Sequence, residues 1–259
     1  MPEGDVLLRV ARRLTTALAD GPLVRADLRW PDVSGAELVG RRSLGTVCYG
    51  KHLLTRFDDG RTMRSHLRMD GRWLVRRTMT PPEPLRRPMT RAVIATSAWT
   101  CVGDHLGMLD LLRTRDEPTL LRHLGPNLMA DDVDTGTAAE NCRAQGERAI
   151  GAVLLDQRVA AGIGTIYLAE TLWRHQISPW RPARAVPDPQ ALFVTAAALM
   201  RRSADAPTLT ATGARDQPTY VHGRAGLVCL RCGDVIAVAP VEEAPYDRPA
   251  FHCPTCQVD

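Results

Sequence analysis

Four of the seven cysteines have the spacing of zinc ligands. They form two Cys-x2-Cys pairs near the carboxyl end, at Cys229, Cys232, Cys253 and Cys256. Each pair can place two thiolates on one turn, and two such turns complete a tetrahedron around Zn²⁺. Disulfide bonds are the weaker alternative, because Glu3 and Asp5 stand where a secretory signal would carry positive charge. The pattern therefore predicts one structural zinc ion.

The same pattern predicts a β-hairpin that carries the metal. Its strands would be Val235–Val238 and Ala250–Phe251. His252 could replace a ligand in principle, although four thiolates already complete the site. The remaining cysteines stand alone and are interpreted as small core side chains, at Cys48, Cys101 and Cys142. Zinc hairpins occur in many nucleic-acid proteins, so the motif indicates the metal more specifically than the function.

The amino terminus offers a second chemistry. Pro2 is small enough for removal of the initiator methionine, which would leave a secondary amine at the head of a helix. The helix dipole disfavours added positive charge there, so this amine should lose its proton more readily than an ordinary α-amino group. An unprotonated amine can form a Schiff base with a sugar carbon, and Glu3 could protonate a ring or leaving oxygen. On these residues alone, Pro2 and Glu3 could equally do no more than begin a helix.

Charge and composition limit the class of protein. The 33 Lys and Arg against 29 Asp and Glu give a net charge of +4, which permits a polyanionic partner. Lys51 is the sole lysine of the sequence and follows Gly50 in a predicted strand turn. It would bind a phosphate or relay a proton, or else be a solvated surface lysine. No apolar run approaches the ~20 residues of a membrane span, so we expect a cytoplasmic protein with no membrane partner.

The periodicity predicts two kinds of region. Apolar residues at helical spacing over residues 5–19 indicate a first helix, and short strands with turn signals over residues 23–101 indicate an antiparallel β-sandwich. Thr80–Pro88 is predicted to be a loop, and residues 137–203 are predicted to be helical with a sharp break at Gly162-Ile163-Gly164. We expect domains over residues 1–124, 137–223 and 224–259, with a linker over residues 125–136.

Taken together, the motifs resemble the formamidopyrimidine-DNA glycosylase/endonuclease VIII family, most of all a divergent bacterial endonuclease VIII. The resembling segments occur in the family's order: Pro2-Glu3-Gly4, Gly50–Leu54, Ser65–Gly71, Leu154–Gln157 with Gly162–Glu170, and Arg248–Gln257. The resemblance implies an α+β fold: an N-terminal antiparallel β-sandwich with flanking helices, a helix–two-turn–helix domain and a zinc β-hairpin finger.

The resemblance also implies roles for the site residues. Pro2, Glu3 and Lys51 would be catalytic, and four further residues would bind DNA: Arg68, Met69, Thr165 and Arg248. Met69 would wedge into the base stack when a nucleotide is flipped out, although a methionine at a strand turn is usually packing. Arg248 would grip a phosphate, or else be a solvated hairpin charge.

Several positions depart from the family pattern. Thr165 stands where an asparagine usually binds a phosphate, and Val6 stands where endonuclease VIII members often have an acid, with Asp5 one residue earlier. Pro249 follows Arg248 in place of the usual Ser or Thr. Glu170 matches a family glutamate, for which a helix salt bridge and a site role both remain open.

The function that the resemblance implies is a bifunctional DNA glycosylase/AP lyase of base excision repair. Pro2 would form a Schiff base at C1′, and β,δ-elimination would cut the strand. The Pro-Glu-Gly start and the short segment 204–220 favour oxidised pyrimidines. Oxidised purines are the second candidate, and a non-catalytic zinc-containing DNA-binding homologue is the third. We expect damaged DNA as the partner, a monomer, and association with the bacterial nucleoid when DNA is bound.

Overall fold

A computed structural model describes residues 2–79, 88–242 and 247–258 of the 259-residue chain. The chain divides into two compact units. The first contains Pro2 together with Val6–Arg122, and the second contains Glu3–Asp5 together with the chain from His123 onward. The loop predicted over Thr80–Pro88 lies outside the described residues except for Pro88. Among the described residues, no helix has both the length and the apolar character needed to cross a membrane.

The first unit is built on two antiparallel four-stranded sheets. Its strands are β1 Arg25–Leu28, β2 Ser43–Tyr49, β3 His52–Phe57, β4 Arg61–His66, β5 Arg72–Arg77, β6 Thr90–Ala95, β7 Trp99–Asp104 and β8 Met108–Arg113. One sheet has the order β1-β6-β7-β5 and the other the order β2-β3-β4-β8. The turn signals at Asp58–Gly60 and Asp70-Gly71 lie between β3 and β4 and between β4 and β5. The predicted antiparallel β-sandwich is confirmed.

The first helix, α1, spans Gly4–Leu18. Its apolar stripe buries Leu7, Leu14 and Leu18, as the helical spacing predicts. Thr15 attaches the helix to strand β2, because its Oγ1 both accepts from the Thr46 N–H at 2.9 Å and donates to the Thr46 carbonyl at 3.1 Å. After β8, a short helix α2 (Glu117–Leu121) completes the unit.

The second unit is helical up to residue 205. Its helices are α3 Thr135–Arg143, α4 Ile150–Leu155, α5 Thr165–His175 and α6 Pro189–Asp205. Asp134 and Asp188 cap α3 and α6 through their side chains, accepting hydrogen bonds from the backbone N–H groups of Thr137 and Ala191. No regular helix or strand is described over residues 206–236, so the segment 204–220 is irregular apart from its first two residues, which end α6.

The last element is a two-stranded antiparallel hairpin, β9 Ala237–Pro240 and β10 Pro249–His252. The first strand begins two residues after the predicted start at Val235. The reason is that Val235 forms an isolated bridge with Val228, so it closes the turn before the hairpin rather than pairing with β10.

Candidate active site and zinc centre

The Glu3 carboxylate lies at the amino end of helix α5. It accepts hydrogen bonds from three backbone N–H groups: Gly164 at 2.7 Å, Ile166 at 2.9 Å and Tyr167 at 3.4 Å. The side chain is only 1% exposed. Because these N–H groups have no partner within the helix and carry the positive end of its dipole, they stabilise the ionised carboxylate. Sequence alone placed Glu3 beside Pro2, but it did not place it on a helix 160 residues downstream.

The second glycine of the Gly-Ile-Gly turn is required by this contact. A Cβ on Gly164 would lie 2.4 Å from Cδ of Glu3, closer than any stable contact permits. The first glycine has a different reason, because Gly162 has φ +127°, which side-chain-bearing residues rarely adopt. Its carbonyl also accepts a hydrogen bond from the Gly4 N–H at 3.0 Å. The Gly-Ile-Gly turn therefore contacts both the Glu3 side chain and the Gly4 backbone.

Gln157 holds the turn between α4 and α5 in shape. Its amide nitrogen donates to the carbonyls of Leu155 at 2.9 Å and Ile163 at 3.0 Å. Its amide oxygen accepts from the Gly162 N–H at 3.0 Å. One side chain thus joins the two ends of the turn, which explains why a glutamine follows the Leu-Leu-Asp run.

Thr165 is the first residue of α5, directly after the cap residue Gly164. Its side chain is half-buried at the helix end whose N–H groups bind Glu3. This position suits an anion contact, but the role of Thr165 in binding a phosphate stays a prediction.

In the first unit, Lys51 occupies the tip of a two-residue hairpin. Strands β2 and β3 are paired up to Tyr49 and His52, which leaves Gly50 and Lys51 as the turn. Gly50 has φ +53°, as the first central residue of a primed hairpin turn requires. The tight turn expected from the sequence is therefore present, while the catalytic role of Lys51 stays a prediction.

His66, which sequence analysis did not single out, lies beside this lysine. Its ring contacts that of His52 edge-on, with 5.0 Å between the centroids. Burial, followed by the positive charges of Lys51, Arg68 and Arg64, lowers the pKa of His66 to about 4. Its Nδ1 accepts a hydrogen bond from the Arg68 N–H at 2.9 Å, so the neutral ring carries its proton on Nε2. The imidazole is thus a neutral donor within a cationic cluster.

The turn after His66 presents Arg68 and Met69. Arg68 has φ +51°, a left-handed conformation held by its N–H bond to His66. Its side chain covers Gly107, where a Cβ would come within 2.4 Å of it. Met69 is 61% exposed, so it is not the packing residue that a methionine at a strand turn usually is. The wedging of Met69 into a base stack and the binding of DNA by Arg68 stay predictions.

The four predicted zinc ligands converge. The Sγ atoms of Cys229, Cys232, Cys253 and Cys256 all lie within 4.8 Å of one another. The Cys229–Cys256 pair is separated by 3.9 Å and the Cys232–Cys253 pair by 3.4 Å. Tetrahedral Zn²⁺ with Zn–S distances of about 2.3 Å places its sulfurs about 3.8 Å apart. The residues therefore fit a four-thiolate zinc ion, and His252 is not among them, because its ring packs against Trp180.

The finger hairpin is joined to the helical part of the second unit by polar contacts. Arg148 binds Asp156 at 2.7 Å and Glu242 at 2.8 Å, and the Trp180 Nε1–H donates to the Pro240 carbonyl at 3.0 Å. Arg248, directly before β10, has an exposed side chain. Its carbonyl accepts from the Val241 N–H at 3.1 Å. The hairpin thus presents the arginine to solvent, and the phosphate contact stays a prediction.

Glu170 makes a contact that sequence analysis did not consider. Its buried carboxylate accepts the backbone N–H groups of Tyr220, Val221 and His222, at 2.9 to 3.0 Å. Burial raises its pKa, and these hydrogen bonds oppose that shift. Glu170 therefore anchors the backbone of residues 220–222 to helix α5.

Comparisons with known proteins agree with this architecture. Residues 1–115 match the model of the formamidopyrimidine-DNA glycosylase N-terminal domain, and residues 124–211 match that of the formamidopyrimidine-DNA glycosylase H2TH domain. "Probable endonuclease 8 2" of Streptomyces coelicolor is 42% identical, over 99% of this chain and 94% of the relative. "DNA-(apurinic or apyrimidinic site) lyase Nei2" of Mycolicibacterium smegmatis is 32% identical, over 99% of each chain.

Solved structures share the fold. A structure of MutM with DNA containing carbocyclic 8-oxo-G has a TM-score of 0.83 at 23% identity, covering 100% of both chains. A complex of Lactococcus lactis Fpg with DNA containing an oxidised pyrimidine has a TM-score of 0.83 at 24% identity, again over 100% of both chains. At these identities the likeness concerns the fold.

Proposed function

This chain belongs to the formamidopyrimidine-DNA glycosylase family, and we propose that it excises oxidised pyrimidines from DNA through a Schiff base at Pro2. It is an endonuclease 8-type DNA glycosylase with AP lyase activity that acts in base excision repair. The observation that carries the proposal is the binding of the Glu3 carboxylate to the amino end of α5. Because Glu3 is bonded to Pro2, this contact also restricts where Pro2 can lie.

The ionised state of Glu3 defines its part in the first step. In our proposal the Pro2 nitrogen attacks C1′ of the deoxyribose, and the damaged base leaves with the electrons of its glycosidic bond. The secondary amine must lose a proton to become an iminium, and the Glu3 carboxylate accepts it. Glu3 then gives the same proton to the ring oxygen O4′ as the C1′–O4′ bond breaks. The three N–H donors favour the ionised form of Glu3, so the carboxylate is regenerated once the proton has passed to O4′.

Strand cleavage follows from the iminium. Its positive charge acidifies the C2′ proton, so loss of that proton expels the 3′ phosphate, and a second elimination expels the 5′ phosphate. We propose that Lys51 and Arg248 hold these phosphates, with Thr165 as a weaker contact that offers one hydroxyl in place of an amide. Arg68 and Met69 would fill the gap that the everted nucleotide leaves.

The preference for oxidised pyrimidines is supported by two features. The chain begins Pro2-Glu3-Gly4, and the segment after α6 is short and tied to itself. Thr210 accepts from the Gly213 N–H at 3.1 Å and donates to the Ala214 carbonyl at 2.8 Å, which keeps the segment compact.

The test is borohydride trapping on duplexes that carry an abasic site, an oxidised pyrimidine or an oxidised purine. We expect a covalent adduct with each of the first two, and faster release of the pyrimidine than of the purine. A protein whose amino terminus is blocked by an uncleaved tag should form no adduct, because an amide nitrogen is not nucleophilic. Full cleavage by the verified blocked protein would overturn the role of Pro2, and faster purine release would overturn the preference.

A further inference from the structure

Asp5 is a buried carboxylate that the proposed reaction does not use. It is 4% exposed and lies in the first turn of α1, three positions after Pro2. Its Oδ2 accepts two hydroxyl hydrogen bonds, from Tyr167 Oη at 2.6 Å and from Ser203 Oγ at 2.7 Å. Neither donor lies within 160 residues of it in the sequence, so no local pattern marks the cluster.

The geometry is that of one carboxylate oxygen that accepts from two neutral hydroxyl donors. An O–H···O⁻ hydrogen bond is typically about 2.5–2.7 Å long, and both contacts fall in or at the edge of that range. Burial and the neighbouring Asp5 charge raise the pKa of Tyr167 far above its usual value, so the phenol remains a donor. Ser203 Oγ in turn accepts from the Thr210 N–H at 3.1 Å. The hydrogen-bond chain therefore reaches from α1 through α6 to the loop.

The cluster completes the fixation of three consecutive residues. Glu3 is bound through its carboxylate to α5, and the Gly4 N–H donates to the Gly162 carbonyl at 3.0 Å. Gly4 is also enclosed, since a Cβ there would approach Met129 and Met200 at 3.0 Å. With Asp5 held as well, the backbone of the three residues that follow Pro2 has little conformational freedom. The two hydroxyl hydrogen bonds hold Asp5 at a defined position in the first turn of α1.

We propose that Asp5 is a positioning residue for the Pro2 nucleophile, acting through its hydrogen bonds to Tyr167 and Ser203. The inference rests on the proposed function, because it takes the Pro2 nitrogen as the attacking atom. Attack on C1′ requires that nitrogen at a near-attack distance and angle, and small displacements are costly in rate. Loss of the cluster should therefore slow imine formation without weakening the binding of DNA.

The experiment measures single-turnover borohydride trapping at saturating abasic duplex, alongside the Kd for a duplex with a tetrahydrofuran abasic analogue. Asp5→Leu, which offers the two hydroxyls no acceptor, and Tyr167→Phe should each slow trapping at least tenfold, with the Kd within twofold of wild type. The double variant should be no slower than Asp5→Leu, because that change already removes the hydrogen bond that Tyr167→Phe breaks. Ser203→Ala should also slow trapping, and Ser203→Thr should restore it.

A matched control is Ser178→Ala, which removes another buried serine hydroxyl from the same unit and should leave trapping unchanged. If Asp5→Leu fails to fold, the nearly isosteric Tyr167→Phe and the pair Ser203→Ala and Ser203→Thr test the proposal. Trapping within twofold of wild type in folded variants would overturn the inference, as would parallel losses of rate, Kd and Tm. A wild-type protein that forms no adduct would instead overturn the proposed function and the inference together.

Discussion

Arg231 of the first Cys-x2-Cys pair caps the helix that contains Trp173. Its guanidinium lies 4.0 Å from the centroid of the Trp173 ring, and its Nη1 donates to the Trp173 carbonyl at 2.9 Å. The other face of Trp173 stacks on Tyr220 at 4.4 Å. α5 binds Glu3 at its amino end and Arg231 of the first cysteine turn at its carboxyl end, so the four-cysteine cluster and the Glu3 contact share one helix.

Removing the metal should therefore be visible at Trp173. We expect Cys253→Ser to abolish zinc binding, to shift the tryptophan emission and to weaken DNA binding at least tenfold. The β-sandwich should keep its melting transition, because it has its own core. Metal analysis measures the zinc content, fluorescence the tryptophan emission, and a thermal melt the transition of the β-sandwich. The Trp173→Phe variant shows whether the emission change comes from Trp173.

Cys142→Ala is the matched control for zinc loss. Cys142 is buried in α3 and lies outside the four-thiolate cluster, so its removal should leave zinc content and DNA binding intact. Stoichiometric zinc in the Cys253→Ser protein would contradict the four-ligand site.

Gly164→Ala should damage the protein through Glu3. The added Cβ would collide with the Glu3 carboxylate, so we expect a loss of about 1–3 kcal/mol in unfolding free energy. The displaced Glu3 should also lower trapping at least tenfold. Gly136→Ala in α3 is the control, because its Cβ would meet only Asp134 at 3.6 Å; it should be neutral or stabilise by about 0.5–1 kcal/mol. Denaturant unfolding measures the unfolding free energy of both variants. An equal change in the two would refute the collision between the Cβ added at position 164 and Glu3.

His66 should contribute a defined pH dependence. Its folded-state pKa of about 4 lies below the ordinary value of 6.5, so the unfolded chain binds the proton more readily. Stability from this group is complete above pH 6.5 and is lost as the pH falls from 6.5 towards 4. NMR titration of the ring checks the pKa directly. The stability of His66→Gln should fall less than that of wild type between pH 7 and pH 5, and a ring titrating near 6.5 would contradict the cationic cluster.

The sequence predicted the features that depend on neighbouring residues. The Cys-x2-Cys pairs, the Gly50-Lys51 turn and the stripe of α1 all follow from local spacing, and the structure has each of them. It did not predict that Glu3 caps α5, that Asp5 binds Tyr167 and Ser203, or that Glu170 anchors Val221. These contacts join positions far apart in the chain, and hydrogen bonding between buried polar groups leaves no periodic signal. The start of β9 was misplaced because Val235 prefers a bridge to Val228.

Thr165→Asn should tighten the binding of DNA. The position is the half-buried first residue of α5, where an amide side chain can add a donor. One added hydrogen bond is worth about 0.5–1.5 kcal/mol, or roughly two- to tenfold in Kd. A new phosphate contact made by a neutral amide should leave the slope of affinity against salt unchanged, since that slope counts cationic contacts. Thr137→Asn, in the first turn of α3, serves as the control and should have no effect. Fluorescence anisotropy with a tetrahydrofuran duplex measures both variants, and an unchanged or weaker Kd for Thr165→Asn would show that residue 165 does not face the phosphate.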